Sequence, residues 1–171
     1  MTSEGRVIDD PGVPRFEVAP HHCFVCGTTN ARGMGLRMHA GPRAAWTELT
    51  YERDFEGWDG IAHGGIIAAI LDEVMAWSLA SEDARGVTAR MANQYHAPVR
   101  VGAELRAEGR VTRARRRLVE TEATLRERGD GQLLASATGL YVAADEARKQ
   151  EMRARYRFGE GATPGTVDNT R

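Results

Sequence analysis

One long apolar segment interrupts a chain that otherwise alternates hydrophobic and polar positions. From Ile66 to Trp77 every residue except Asp72 and Glu73 is apolar. This pattern predicts a buried helix, because a surface helix keeps one polar face. Shorter runs with the period of a half-buried strand flank the helix. The predicted strands are residues 35–39, 46–52, 87–96, 103–113, 118–126 and 133–142.

This order of elements predicts an α+β fold. Strands and helices do not alternate, so a doubly wound parallel sheet is not expected. One antiparallel sheet of five to six strands, curled around the long apolar helix, fits the order best. We expect a flexible arm over residues 1–19, the domain over 20–144, a charged helix over 145–158 and a disordered tail over 159–171.

Composition and charge narrow the function classes. The 171 residues include 23 basic and 24 acidic side chains, with a net charge of −1, so no overall field recruits nucleic acid or a membrane surface. The N-terminus lacks a signal-peptide pattern, and no segment reaches the roughly 18–20 apolar residues of a membrane span. A cytoplasmic protein is therefore expected. The two cysteines, Cys23 and Cys26, do not indicate a secreted disulfide scaffold.

The predicted helix combines two features that favour acyl transfer or hydrolysis. It follows His63-Gly64-Gly65, and a glycine-opened helix start offers bare backbone N–H groups at the positive end of the helix dipole. It also contains Asp72 and Glu73, and an ionised carboxylate in apolar surroundings needs a partner or a wet cleft. Fixed N–H donors stabilise a developing oxyanion, and a carboxylate can activate water.

More than one interpretation is open for the polar residues of this region. Asp72 and Glu73 lie about 100° apart around a helix, so they cannot both face one cleft. Asp72 is the favoured acid, because it follows Gly65 by seven residues on nearly the same stripe. Glu73 is then a structural partner for an arginine, and the reverse assignment is the alternative. Asp72 could instead form an ion pair with Arg90. The ring of His63 fixes the turn, assists an oxyanion site, or does both.

Four groups of residues carry a resemblance that spans about residues 21–143. They are Cys23-Phe24-Val25-Cys26-Gly27 with Asn30 and Gly33; Gly57-Trp58-Asp59-Gly60-Ile61-Ala62-His63-Gly64-Gly65; Leu71-Asp72-Glu73-Val74-Met75; and Tyr95, Pro98, Val99 and Gly102. Together with the order of elements, they resemble the hotdog-fold acyl-CoA thioesterases, and more closely the branch related to phenylacetate-pathway thioesterases. The most specific feature is the acid nine residues after the histidine of His-Gly-Gly.

The resemblance implies a fold, a chemistry and a set of site residues. It implies the hotdog fold and hydrolysis of acyl-CoA thioesters without a metal or organic cofactor. The Gly64 N–H would polarise the thioester carbonyl, and Asp72 would activate water or attack directly. A hydroxyl at Thr88 would assist. Some relatives have an asparagine six residues before the histidine, where this chain has Gly57.

Two further clusters have a structural and a functional interpretation. Cys23 and Cys26 have the spacing of a zinc pair, but no second Cys/His pair follows, so no metal site is expected. A group of arginines lies at a predicted hairpin turn. In the structural interpretation the turn is a solvated loop. In the functional one, one or two of the arginine side chains bind coenzyme A phosphates. The arginines concerned are Arg113, Arg115, Arg116 and Arg117.

The sequence therefore predicts an acyl-CoA thioesterase, but it does not identify the acyl group of the substrate. The alternatives are a thioesterase for carrier proteins, a non-catalytic acyl-CoA-binding module, a hydratase of the same fold and a zinc-stabilised interaction domain. Gly64 and Asp72 are eight residues apart, about 12 Å along a helix, which is too far for both to act on one thioester. Two antiparallel copies could supply both groups, so we expect a homodimer with two composite sites, alone or paired into a tetramer.

Overall fold

The computed structural model describes residues 18–82 and 84–157. The expected tail and almost all of the expected arm lie outside these ranges. Within them, the elements follow the order β1 (His39–Gly41), β2 (Ala44–Thr50), α1 (Gly64–Ser78), β3 (Gly86–Tyr95), β4 (Glu104–Arg115), β5 (Leu118–Glu127), β6 (Leu133–Ala143) and α2 (Glu146–Tyr156). No helix in the described part is long and apolar enough to cross a membrane.

The six strands form one antiparallel sheet in the order β1-β2-β4-β5-β6-β3. Helix α1 packs against this sheet, so the predicted fold class is confirmed. The last four strands lie within two residues of their predicted bounds. β1 and β3 are the two edges of the sheet, and β3 is the longer one. An edge strand of this length presents unpaired backbone groups on its outer side.

Helix α1 lies on the sheet through one stripe of its surface. The fully buried stripe consists of side chains three or four positions apart, the spacing of one helix face. They are Ile67, Ile70, Leu71, Val74, Met75 and Ser78. The expectation of burial on all sides is wrong, because the sheet covers one side of the helix and part of the remaining surface is left exposed. Ile66, Ala69, Ala76 and Trp77 are partly exposed.

The first predicted strand, residues 35–39, is also wrong. β1 starts only at His39, and Gly35 has a left-handed backbone with φ of 60°. The preceding residues pair with the N-terminal segment instead: the Met34 N–H donates to the Phe24 carbonyl at 2.7 Å, and the Leu36 N–H donates to the Val25 carbonyl at 2.8 Å. Backbone groups bonded to this segment are not available to the sheet.

Gly109 allows the backbone of α1 to lie directly on the middle of β4. A Cβ atom added to Gly109 would lie 2.6 Å from the carbonyl carbon and oxygen of Val74 and 2.7 Å from the Met75 nitrogen. These neighbours are helix backbone, which cannot rotate away as a flexible side chain could. The position therefore fixes how closely the helix approaches the sheet.

Replacement of Gly109 by alanine should lower the free energy of unfolding by about 1–3 kcal/mol, the usual cost of overpacking. Gly129→Ala is the matched control, because a Cβ at Gly129 meets nothing within 4 Å. Urea denaturation of both variants measures the difference. Equal unfolding midpoints for the two variants would contradict the close approach of α1 to β4.

Candidate functional site

The start of α1 leaves one backbone donor unoccupied. His63 is the N-cap residue, with extended backbone (φ −69°, ψ 127°). Its ring Nδ1 accepts a hydrogen bond from the Gly65 N–H at 3.0 Å, which caps the helix. The Ile66 and Ile67 N–H groups donate to the His63 carbonyl at 3.0 and 3.2 Å. Among the described residues, none accepts a hydrogen bond from the Gly64 N–H, which remains as the donor at the positive end of the helix.

An open groove lies beside this donor. It has a volume of about 360 Å³ and is lined by Ile61, Ala62, Gly64, Ile67 and residues 95–99. The Tyr95 hydroxyl donates to the Gly64 carbonyl at 2.9 Å, which holds β3 against the first turn of the helix. The largely apolar lining of the groove suits the acyl part of a ligand more than a charged group.

Gly57 lies against His63, where some relatives are expected to carry an asparagine. A Cβ at Gly57 would come 3.1 Å from the His63 Cα and 3.4 Å from Cδ2 of its ring. A side chain at this position would therefore contact the histidine. In this chain Gly57 places no side chain against the His63 ring, which is exposed.

Asp72 is held by two hydroxyl groups two turns further along α1. The Thr88 hydroxyl donates to Asp72 Oδ1 at 2.7 Å, and the Tyr141 hydroxyl donates to the same oxygen at 2.6 Å. Tyr141 also reaches the Asp72 backbone carbonyl, at 3.0 Å. The carboxylate is thus oriented by hydroxyls from β3 and β6 rather than by the alternative ion pair with Arg90. Within the described ranges, no donor contacts the other oxygen, Oδ2.

Tyr141 is a site residue that the sequence analysis missed. Its side chain is 1% exposed. Burial, and then the hydrogen bond to Asp72, raise the pKa of the Tyr141 hydroxyl well above its usual range, so this group remains a proton donor to the carboxylate. The sequence did contain a sign of this role, a tyrosine in an apolar strand. A buried phenol needs a hydrogen-bond partner, so such a tyrosine can be expected to contact a polar group.

Glu73 points to a different side of the helix. Burial raises the pKa of the Glu73 carboxyl to about 7. The Trp77 indole N–H donates to Oε1 at 2.9 Å, and the Cys23 thiol lies 3.5 Å from Oε2. Residues 21–26 cover this side of α1, so Glu73 contacts thiols and an indole instead of the expected arginine.

The thiols of Cys23 and Cys26 lie close together beside Glu73. A hydrogen bond from the Cys26 thiol lowers the pKa of Cys23 to about 5, and the backbone N–H groups of Cys26 and Val25 also lower it. The same Cys23–Cys26 hydrogen bond, together with burial, raises the pKa of the Cys26 thiol above its usual range. Cys23 is therefore the sulfur that carries negative charge most readily.

The arginines lie at the Asp72 end of the sheet. Arg115 pairs with Leu118 across the hairpin of β4 and β5. Leu118 is opposite Val142, which in turn is opposite Val87, the neighbour of Thr88. The Arg115 and Arg116 side chains are exposed. The end of the Arg113 guanidinium is 4.0 Å from Glu120, a distance at which an exposed pair contributes little.

Comparison with known proteins shows what this chain is similar to. The sequence model of the thioesterase superfamily matches residues 59–134, which include the helix start and Asp72. A solved thioesterase superfamily protein superposes with a TM-score of 0.66 at 28% identity, over 71% of this chain. This chain spans 60% of that protein's length. No curated protein matches the chain.

Two other solved structures have the same fold. A variant of the phenylacetic acid degradation protein PaaI from Thermus thermophilus is 24% identical, with a TM-score of 0.59 over 64% of this chain and 93% of its own. A protein from Streptococcus mutans, solved with acetyl-CoA bound, is 17% identical, with a TM-score of 0.58 over 84% of this chain and 95% of its own.

Proposed function

We propose that this chain, which is similar to the thioesterase superfamily over residues 59–134 and to the fold of a solved superfamily protein, hydrolyses acyl-CoA thioesters without a cofactor. The observation that carries the proposal is the pair of groups on α1. One is the unoccupied Gly64 N–H beside the groove, and the other is Asp72, whose Oδ1 is held by Thr88 and Tyr141. The likeness to the phenylacetate-pathway branch is part of the proposal, with Gly57 as a departure.

The chemistry follows from these two groups. The Gly64 N–H donates to the thioester oxygen and stabilises the negative charge that develops there, an effect worth roughly 2.7–4 kcal/mol. Asp72 takes a proton from water as the water oxygen bonds to the thioester carbon. The carbon–sulfur bond then breaks, and the thiolate of coenzyme A leaves and takes up the proton that Asp72 removed from water. Thr88 and Tyr141 keep Oδ1 occupied, so Oδ2 faces the water. Direct attack by Asp72 is the alternative within the same arrangement.

The coenzyme A moiety of the proposed substrate would bind at the exposed arginines. The Streptococcus mutans protein binds acetyl-CoA, but at 17% identity that likeness concerns the fold. In this chain, the support is the exposed Arg115 and Arg116, which lie at the same end of the sheet as Thr88, with β5 and β6 between them. A guanidinium matches phosphate oxygens in shape and charge.

We further propose that the site is shared between two chains in a two-fold homodimer. Gly64 and Asp72 are about 12 Å apart along α1, whereas oxyanion donor and base must act on adjacent atoms. The unpaired edge at β3 supports a second copy, because Val87 and Tyr95 on this strand are 72% and 53% exposed. Asn93 on the same strand has a buried side-chain oxygen without a donor among the described residues. In the dimer each cleft would combine Gly64 of one chain with Asp72 of the other.

Asp72→Asn should lower kcat for acyl-CoA hydrolysis by about a hundredfold to ten-thousandfold, because an amide cannot accept the proton. Detection of free thiol, with acyl-CoA esters of varied chain length and aromatic character, measures the rate. Asp54→Asn, in an exposed 3-10 helix of three residues, is the matched control. Near-normal kcat for Asp72→Asn together with its loss in Glu73→Gln would make Glu73 the acid.

Two substitutions at Gly64 distinguish the effect of losing its N–H from the effect of adding a side chain. Proline is tolerated at the first helical position and removes the N–H, and the extended backbone of His63 suits a residue before proline. Gly64→Pro should therefore lower kcat by about a hundredfold to a thousandfold, whereas Gly64→Ala, which keeps the donor, should remain active. Similar kcat values for the two folded variants would remove Gly64 from the mechanism.

The same variants test the shared site. Mixing inactive Asp72→Asn chains with inactive Gly64→Pro chains should restore activity, because a mixed dimer contains one cleft with both groups intact. Subunit exchange is verified with differently tagged chains. A fully active monomer in dilute solution, or exchange without any regain of activity, would contradict the composite site.

The double variant Arg115→Ala and Arg116→Ala should raise KM for acyl-CoA several-fold and leave KM for a truncated acyl-pantetheine nearly unchanged. The reason is that only the full substrate carries the nucleotide phosphates. Arg126→Ala, at the opposite end of β5, is the control. Equal changes in KM for both substrates would exclude these arginines from the coenzyme A site.

A further inference from the structure

A cluster of metal-ligating side chains lies beside α1, outside the groups used for hydrolysis. The thiols of Cys23 and Cys26 and a carboxylate oxygen of Glu73 all lie within 4.8 Å of one another. The ring of His21 lies beside this cluster, next to Cys26, with Nε2 at 3.2 Å from the Cys26 sulfur. The residues come from two parts of the chain about 50 positions apart, so the spacing of the cysteines alone could not reveal the cluster.

The distances suit a tetrahedral ion. Zinc binds sulfur at about 2.3 Å and nitrogen or oxygen at about 2.0–2.2 Å, so neighbouring ligand atoms are about 3.3–3.8 Å apart. The Cys23 sulfur is 3.5 Å from Glu73 Oε2, and the contact between His21 and Cys26 is close to this range. Cys23, Cys26 and Glu73 already lie within 4.8 Å of one another, and rotation of the His21 side chain would have to bring Nε2 toward them as the fourth ligand.

Each of the two non-sulfur ligands is already oriented by a second contact. The other ring nitrogen of His21, Nδ1, lies 3.1 Å from the Ala19 carbonyl, which fixes the proton on Nδ1 and leaves the Nε2 lone pair facing Cys26. The other oxygen of Glu73, Oε1, accepts a hydrogen bond from the Trp77 indole. Metal ligands usually have such outer contacts: the histidine nitrogen that does not bind the metal donates to a carbonyl, and the carboxylate oxygen that does not bind the metal accepts from a donor.

The backbone around the cysteines forms a tight turn. The Gly27 N–H donates to the Cys23 carbonyl at 3.1 Å. A Cβ at Gly27 would lie 2.4 Å from the backbone nitrogen and oxygen of Cys23 and 2.7 Å from the His21 carbonyl oxygen, so the turn requires glycine. The turn brings both thiols to the same side, toward Glu73.

From this geometry we propose that Cys23, Cys26 and Glu73, with His21 as fourth ligand, bind one zinc ion. Two thiolates, an imidazole and a carboxylate are a ligand set that zinc accepts, and four protein ligands close the coordination shell. Such a site is structural. The ion would fasten residues 21–26 to α1 next to Asp72, and hydrolysis of the thioester would not pass through it.

Metal analysis of the full-length protein tests the proposal directly. Protein produced with zinc in the medium and then dialysed should contain one zinc per chain. Replacement of the zinc by cobalt(II) should give thiolate-to-cobalt charge-transfer absorption and the intense visible bands of a tetrahedral ion. Removal of zinc by a chelator should lower Tm, and added zinc chloride should restore it.

Variants identify the ligands. Cys23→Ser and Glu73→Gln should each weaken zinc binding at least tenfold in competition with a chromogenic chelator. His21→Asn should do so as well, whereas His22→Asn, at the exposed neighbouring residue, should bind like the wild type. If His21→Asn bound zinc with wild-type affinity, His21 would be excluded as the fourth ligand.

Three results would overturn the zinc site as a whole. They are substoichiometric zinc in freshly reduced protein, a cobalt complex without the charge-transfer band, and isolation of the protein with a Cys23–Cys26 disulfide that takes up no zinc after reduction. None of them depends on whether a variant folds. All are read without an activity assay, so they are distinct from a failure of the proposed hydrolysis.

Discussion

The close contact between α1 and β4 determines where every candidate functional group lies. Gly109 brings the helix backbone onto the strand, and the buried stripe from Ile67 to Ser78 then fixes the rotation of the helix about its axis. With position and rotation set, the first N–H faces the groove, Asp72 reaches the hydroxyls of β3 and β6, and Glu73 turns toward the N-terminal segment. A side chain at residue 109 would therefore disturb the site as well as the core.

The two adjacent acids show how the rotation of α1 about its axis determines the surroundings of each carboxylate. Asp72 and Glu73 differ by about 100° around the helix, and this angle separates two environments. Asp72 accepts hydrogen bonds from hydroxyl groups on one oxygen and keeps the other available. Glu73 is covered, and burial raises its pKa to about 7. A raised pKa would ordinarily favour Glu73 as the general base. Its covering by Cys23 and Trp77, and its distance from the groove side, favour a structural role instead.

Local patterns made much of the fold predictable, and contacts distant in sequence made part of the site unpredictable. The apolar run and His63-Gly64-Gly65 predicted where α1 begins, because capping and periodicity depend on neighbouring residues. The pairing of Asp72 with Thr88 came from the resemblance. Tyr141 lies 69 residues from Asp72, and its approach depends on the pairing of β6 with β3. The contact of Cys23 with Glu73 depends likewise on how a loop folds over the helix. The strand predicted at residues 35–39 failed because Gly35 turns the chain toward that same loop.

The surface of α1 divides into three faces, and this division relates the two proposals. One face lies on the sheet. A second, with Glu73 and Trp77, is covered by residues 21–26, which the proposed zinc ion would hold in place. The third carries Asp72 between small residues, Ala69 and Ala76, which are partly exposed. Small side chains let two helices approach closely, so this face suits a second copy of α1. Because the metal cluster occupies a different face, zinc loss should destabilise each chain while leaving the proposed contact between chains geometrically possible.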